Sequence, residues 1–515
     1  MMNRMVRTRA TTLLLACAIF LVYLLSSSWR FPLGSDGRAM LATSRSLLTN
    51  RTLAVDLQFA SDEGFGPSAK VGVDGRAYVK YGLGLPVIEL PFLAAALLIA
   101  RTGGVAEPQA IAGVLSLVNP LLTTGTAIAL FALCRSWSFQ PTIGWSLMIA
   151  YALGTFAWVY ATGDTSEPLQ AFCLLLALLQ LVRYRTTNRM VLMWGSGLAV
   201  ASAILTKAAN AVLVPAFVLY ALVMLYSARS PSRREMWPAL LRLTVPIGMC
   251  LLFLAWLNWY RWGSAWETGY EPHAFTNPVL SGIYGLVLSF NKGIIFYAPL
   301  VVLAPVGIVL MRNAERAEAA LIGLASVTCI SLFASFYNWG AGWSWGPRYL
   351  MPVLPLLIAA VARAVAAGTG WRMLAIVLFV AGVGINGVGV LVDGDAYQGA
   401  ILDVDLTERT GFARVGSFRD PERMVNMAIP PDYVLPEFSE IIGRVWLGRV
   451  AWEGCWCSQQ TARCGCRTGA LEGHPRFSAP PWIEQYPDVQ PRPPYGARLI
   501  YPWIADRFHQ WLLRR

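Results

Sequence analysis

The sequence predicts an all-α polytopic membrane protein. About eleven transmembrane helices, with juxtamembrane helices beside them, are expected over residues 1–392, and a small extracytoplasmic domain over 393–515. Three observations predict this. Apolar residues make up 56% of the 515-residue chain and charged residues only 14%, with a mean hydropathy of +0.51; a soluble domain carries about a quarter charged residues. The apolar residues gather in runs near the roughly 20 residues that a helix needs to cross a bilayer. Between the runs lie short arginine clusters, the pattern that orients membrane helices. The net charge of +12 is divided among these clusters rather than spread over one face, so orientation in the bilayer accounts for it and no nucleic-acid partner is implied.

Arg4, Arg7 and Arg9 precede a first apolar run over 11–28, which places the N-terminus in the cytoplasm. No small-residue cleavage site follows Ser28, so the run is expected to stay as a helix. Asp36 then lies outside. Met40, Leu41, Ser44, Leu47 and Leu48 follow helical spacing, as in a short amphipathic helix lying on the membrane surface. The next apolar run, 83–100, is interrupted by Pro86, Glu89 and Pro91. An ionisable group at mid-span is costly and prolines weaken a helix. Counting the run as a span would also turn the arginine loop at 183–189 outward, so it is expected to be re-entrant or interfacial. Later spans fall near 111–133, 143–160, 169–181, 191–205, 211–226, 240–259, 293–311, 319–336, 349–366 and 373–392. The short loops that these spans turn inward carry Arg135, Arg183, Arg229, Arg312 and Arg372. Beyond Asp393 hydrophobicity falls, and the tail over 503–513 has an amphipathic pattern. The expected location is the cell inner (plasma) membrane, multi-pass, with the C-terminus and any active site extracytoplasmic.

Several stretches carry chemically useful side chains, each with a plainer reading beside it. Asp36, just outside the first span, suits a general base or a metal ligand; with Ser35 it also suits a helix cap. Lys80, between Tyr78 and Tyr81 and near Gly82 and Gly84, suits a lipid phosphate or simple snorkelling at the interface. Asp164 and Glu167, three apart before an apolar run, suit an acceptor or metal, or again a cap with Pro168 in the first turn. Lys207 joins two spans at membrane level, where a partner is required: a phosphate, or a carboxylate such as Asp164. Trp262, Trp266, Glu267, Tyr270, Glu271 and His273 open a long outer loop in which rings can stack on sugars and carboxylates accept their hydroxyls. Trp339, Trp343 and Trp345 alternate with glycines before Arg348, which suits a phosphodiester or diphosphate. An aromatic belt at the membrane edge is the plainer reading of both.

Cys455, Cys457, Cys464 and Cys466 form paired C-x-C units. Four thiols suit zinc, but in an extracytoplasmic domain two disulfides stapling a hairpin are expected. The other five cysteines lie in or beside apolar runs and are read as packing residues. No Walker loop, dinucleotide glycine fingerprint or H-E-x-x-H motif occurs.

Taken in order, Ser35-Asp36-Gly37, Tyr78-Val-Lys80-Tyr-Gly-Leu-Gly84, Gly163-Asp164, Leu205-Thr-Lys207, Trp262-Gly-Ser264 with Glu267-Thr-Gly-Tyr270, and Gly342-Trp-Ser-Trp-Gly-Pro-Arg-Tyr-Leu350 resemble the GT-C membrane glycosyltransferases. The chain is most similar to bacterial relatives of the dolichyl-phosphate-mannose protein mannosyltransferases, which include the lipid A aminoarabinose transferases. The resemblance covers most of 11–392 and none of the rest. It implies transfer of a sugar from a polyprenyl-phosphate carrier to a hydroxyl of a glycan, lipid or protein acceptor, with inversion. In that scheme Asp36 is the base, Lys207, Arg348 and Lys80 hold the carrier phosphate, and Asp164, Glu167, Glu267, Tyr270, His273 and the tryptophans orient the sugars. Many members have a second acidic residue after the first-loop aspartate. Here Gly37 and Arg38 follow, so Asp36 is read as base, no metal ligands are assigned, and a divalent metal ion is left open as cofactor. The alternative from another class is a transporter or flippase of a lipid-linked sugar, which needs the same phosphate contacts without the base; inverted repeats would favour it.

Overall fold

The structure, a computed structural model, describes residues 2–27, 34–60, 68–226, 233–270, 274–311, 315–342, 344–392, 439–445, 456–457, 464–466 and 469–470. Within them the chain is helical almost throughout. With no water at membrane depth, every backbone N–H and C=O must be paired inside its own segment, and only a helix does so for an open chain.

In chain order the helices are α1 (Met2–Ser26), α2 (Ser35–Asn50), α3 (Gly84–Gly103), α4 (Glu107–Leu115), α5 (Val118–Ser136), α6 (Pro141–Leu153), α7 (Ala157–Ala161), α8 (Glu167–Thr187) and α9 (Val191–Thr206). They continue with α10 (Val214–Tyr226), α11 (Arg233–Trp262), α12 (Val279–Val287), α13 (Ile294–Tyr297), α14 (Ala304–Leu310), α15 (Arg316–Ser335), α16 (Leu354–Ala367) and α17 (Thr369–Leu391). Eight described helical stretches are long and apolar enough to cross a membrane, α3 among them, and four shorter apolar helices accompany them. Setting α3 aside, these match the eleven stretches expected from sequence. α8 packs against α5 and α9, α11 against α9, α10 against α15, and α16 against α14 and α17. One continuous core runs through them, including Leu174, Leu178, Leu181, Ile204, Ile358 and Val361.

The outer faces are equally apolar: Leu14, Leu198, Leu252 and Val377 are exposed, as lipid-facing residues are. On α11 the exposed rings of Trp237 and Trp256 lie about 28 Å apart along the axis at 1.5 Å per residue. That is close to the hydrocarbon thickness of about 30 Å, and Trp gathers at both interfaces.

α3 is long and apolar enough to cross a membrane. It packs against α2, α4 and, at its first turn, the end of α9. Ser44 of α2 donates to the buried Glu89 of α3 at 2.7 Å, and Arg45 of α2 reaches Glu107 of α4 at 2.7 Å. Leu41, Leu93, Ala96, Ile111 and Leu115 form a separate small core. α3 and α4 therefore make a hairpin on α2, at the end of the bundle where α1 stops and α5 starts. The interfacial reading of 83–100 stands as an expectation, beside a helix long and apolar enough to cross a membrane. The same end carries a three-stranded antiparallel sheet, β1 (Ala54–Val55), β3 (Ala77–Val79) and β2 (Ala69–Val71) in that spatial order, with Ala54 opposite Tyr78 and Lys70 opposite Tyr78 on the other side. Ala39 of α2 packs beneath it against Ala69, Ala77 and Val79.

At the opposite end two arginines stitch helices together, Arg185 from an expected inward loop and Arg363 from within the expected span 349–366. Arg185 of α8 pairs with the buried Glu318 of α15 at 2.6 Å, and Arg363 of α16 pairs with Glu315.

Beyond α17, most of 393–515 lies outside the described residues, including Cys455 and the amphipathic tail. The described parts are a short helix over 440–445 and strands β4 (Trp456–Cys457), β5 (Cys464–Cys466) and β6 (Gly469–Ala470), an antiparallel meander with Cys457 opposite Cys464. The five cysteines outside this region are free and sit in helices α1, α5, α8, α11 and α15.

Candidate active site

Four charged residues from distant parts of the chain meet at the end of the bundle that carries the sheet. Each is delivered by a helix terminus. Asp36 lies in the first turn of α2, where the positive end of the helix dipole favours a carboxylate. Its side chain does not cap the helix; Gly34 is the N-cap residue, without a side-chain cap bond. Instead Oδ1 accepts from the Tyr81 hydroxyl at 2.6 Å and Oδ2 from Nη2 of Arg348 at 2.6 Å. Arg348 opens a 3-10 turn over Arg348–Leu350 ahead of α16. Its Nε donates to Oε1 of Glu167 at 2.9 Å. Glu167 begins α8, and the same oxygen lies 3.6 Å from Nζ of Lys207, at the break between α9 and a 3-10 helix over Ala208–Leu213. The ammonium sits 4.2 Å above the Tyr349 ring, which stacks on Phe333 at 4.5 Å.

The charges thus alternate: Asp36, Arg348, Glu167, Lys207. Burial is deepest at Glu167. The Asp36 side chain is 25% exposed, Lys207 21%, Arg348 16% and Glu167 1%. Burial pushes the Asp36 carboxyl up, but the Arg348 guanidinium, the Tyr81 hydroxyl and the Lys207 ammonium together outweigh it and hold the group below the usual carboxylate value. Burial pushes the nearby Tyr270 phenol up, and the charge of Asp36 adds to the rise. Oε2 of Glu167 is buried and has no hydrogen-bond partner among the described residues.

The approach of these segments depends on missing side chains. A Cβ on Gly82 would lie 2.3 Å from the Leu205 carbonyl oxygen and 2.4 Å from that of Thr206, so only glycine lets the Tyr81 strand exit touch the end of α9. A Cβ on Gly37 would lie 1.9 Å from Oδ2 of Asp164. That oxygen accepts from the backbone N–H of Gly34 at 3.1 Å, so Asp164 ties the start of α2 to the loop before α8 rather than capping α8, whose N-cap is Ser166. Asn119 of α5 holds the same loop through the carbonyls of Gly163 and Thr165.

The other residues expected at the site are more scattered. Lys80 lies 5.4 Å from the centre of the Tyr270 ring, at the rim. Glu267 faces Lys70 at 3.5 Å and accepts from the Gly269 N–H, away from the charge row. Trp339 and Trp345 are buried, Trp339 against α12 and Trp345 against Tyr297 and Asn386. The expectation of sugar stacking gives way to a packing role for these two rings, because neither presents a face outside the protein. His273 and Trp343 lie outside the described residues, as does Glu271. Sequence reasoning passed over Tyr81 as a partner of Asp36; its signal was a tyrosine next to Lys80 followed by two glycines. Among the described residues no group of three or more His, Cys, Asp or Glu side chains is arranged to hold a metal ion.

No family model and no curated protein matches the sequence. Solved structures similar in fold include ArnT from Cupriavidus metallidurans bound to undecaprenyl phosphate, with 16% identity over 76% of this chain and 68% of that one and a TM-score of 0.47. The archaeal oligosaccharyltransferase AglB from Archaeoglobus fulgidus, in complex with an inhibitory peptide and a dolichol-phosphate, is 10% identical over 80% of this chain and 61% of that one, with a TM-score of 0.43. Both are of the GT-C kind that the sequence resembles.

Proposed function

We propose that the protein is an integral-membrane glycosyltransferase that moves a sugar from a polyprenyl-phosphate carrier to an acceptor hydroxyl on the extracytoplasmic side. The observation that carries this reading is the row Asp36–Arg348–Glu167–Lys207, which joins two fixed cations, one exposed carboxylate and one buried carboxylate at a membrane-level end of the bundle. Two adjacent cations suit a phosphate, Arg348 through its planar fork and Lys207 as a point charge. A phosphate oxygen arriving there competes with the two carboxylates for the same N–H groups. Glu167, at 1% exposure, has nowhere to go; Asp36, at 25%, can turn toward solvent and an acceptor.

The exchange also tunes the base. While Arg348 is its partner, Asp36 is a weak base. As Arg348 passes to the phosphate, that pull weakens and the carboxylate gains proton affinity. The acceptor oxygen then attacks the anomeric carbon as its proton moves to Asp36. The bond from that carbon to the phosphate oxygen breaks, and the departing phosphate keeps the electron pair, held by Arg348 and Lys207. Attack opposite the leaving group inverts the anomeric configuration. Tyr270 and Lys80, at the rim, are the side chains within reach of the sugar.

The test is transfer from a radiolabelled polyprenyl-phosphate sugar to membrane extract by purified wild type and Asp36→Asn. Loss of a general base costs about 100- to 10,000-fold, so the variant should be nearly inert. Undiminished transfer in D36N would remove Asp36 as the base. Carrier translocation by the wild type without any transfer would establish the flippase instead.

A further inference from the structure

The region beyond α17 sends one segment back into the bundle, behind the loop that ends in Arg348. Ser439, Glu440 and Arg444 are all buried there. Glu440 accepts from Nζ of Lys292 at 3.0 Å. Lys292 is itself 1% exposed, and its ammonium also donates to the carbonyls of Gly342, at 3.0 Å, and Ser344. A lysine at such depth requires its N–H groups bonded and its charge balanced; Glu440 supplies a countercharge, and the loop supplies carbonyls. Arg444 lies against the Trp345 ring at 4.5 Å and donates to the carbonyls of Gly389 and Val392, closing the negative end of α17. Trp345 is also held by Asn386 through its indole N–H, and its carbonyl accepts from Tyr160. Three residues further on comes Arg348.

We propose that the segment 439–445 is a positioning element of the anion site: Glu440 and Arg444 fix Lys292 and Trp345, and through them the backbone that presents Arg348 to Asp36 and Glu167. Glu440 and Arg444 reach Lys292 and Trp345 rather than the charge row itself, so they act on the site at second hand. Without Glu440 the Lys292 ammonium is a buried charge lacking that partner, and relief requires the 342–344 backbone to move. The C-terminal region is then part of the working unit, although it lies outside the stretch that resembles known transferases. The ligand side of this inference rests on the function proposed above; the mechanical side does not.

The experiment uses full-length protein in lipid nanodiscs, with a polyprenyl phosphate lacking sugar as the probe. Hydrogen exchange of the 340–348 backbone is followed in parallel. E440A should speed exchange in that peptide and weaken probe binding, each by about 10-fold, the effect of one buried charge-assisted hydrogen bond. E440Q, which keeps the volume and a hydrogen-bonding group, should give a smaller shift in the same direction and serves if E440A does not fold. E315Q, at the ion pair with Arg363 on the far end, is the control: it should lower the thermal midpoint and leave both readings unchanged. If E440A and E440Q bind and exchange like wild type, or if E315Q changes them equally, the positioning role is overturned. If wild type does not bind the probe, the proposed function fails, and exchange alone still decides this inference.

Discussion

Nη2 of Arg348 lies 2.6 Å from Oδ2 of Asp36, joining residues 312 positions apart in the chain. Either charge alone at this level of the bilayer would be costly. Paired, they neutralise one another; in the proposed function a phosphate competes with Asp36 for the guanidinium.

Removing one partner should expose that balance. R348A leaves Glu167, 1% exposed, short of its nearest cation, and breaking a buried pair from one side costs about 3–5 kcal/mol. The thermal midpoint should fall clearly in R348A and recover in part in R348A/E167Q, where the stranded charge is gone. Equal midpoints in the single and double variants would show that Glu167 does not depend on Arg348.

Acid sensitivity should follow from the lowered Asp36 carboxyl. Because the folded value lies below the unfolded one of about 3.9, the group contributes stability above the unfolded value and loses it as pH falls through the folded one. The acid arm of kcat/KM, which reports the free enzyme, should accordingly lie below the ordinary carboxylate range. Y81F removes one hydrogen bond that favours the charged form, so its acid arm should move to higher pH. Superimposable pH profiles for wild type and Y81F would count against the contact.

Gly82 offers a steric test. In G82A the new methyl meets two backbone oxygens at 2.3 and 2.4 Å, neither able to rotate away. Overpacking of this kind costs about 1–3 kcal/mol, and the shift would part Tyr81 from Asp36. G82A should lose stability and transfer together. A neutral G82A would show that the strand exit has room.

The α3–α4 hairpin predicts sidedness. A cysteine replacing exposed Thr102, at the end of α3, should react with an impermeant maleimide from the same side as one replacing exposed Asp74 in the sheet. Opposite labelling would make α3 a true span.

The paired C-x-C units predict disulfides. Strand pairing sets Cys457 opposite Cys464, and opposed antiparallel residues lie about 4.5–5.5 Å apart, within reach of a bridge. Denatured, unreduced protein should show five reactive thiols, those of Cys17, Cys134, Cys173, Cys250 and Cys329, and nine after reduction. Nine before reduction would favour free thiols or metal.

The spans were legible because apolar length is a one-dimensional property; in 83–100 the features that set the run apart, Glu89 and Pro86, are buried, Glu89 against Ser44 of α2, while Pro91 is exposed. Asp36, Lys207 and Arg348 stood out because a charge at the lip of a span needs a reason. Their mutual pairing was not legible. It depends on which helix ends meet, and residues 36, 167, 207 and 348 share no local pattern. The same limit misled the reading of Trp339 and Trp345: a tryptophan at a membrane edge looks alike whether its ring faces a sugar or a neighbouring helix. Burial decides, and burial belongs to the folded chain.

The span from Asp36 to Arg348 also has a consequence in time. At about 5–20 residues per second, roughly 15–60 s separate the synthesis of one from the other. For the later part of that interval Glu167 and Lys207 have been made without the guanidinium that joins them to Asp36. If the row seats a phosphate as proposed, a half-made chain lacks one of its two cations. On the proposed function, competence waits for the helices around Arg348 and, if the segment around Glu440 is needed to set Arg348, for that segment as well.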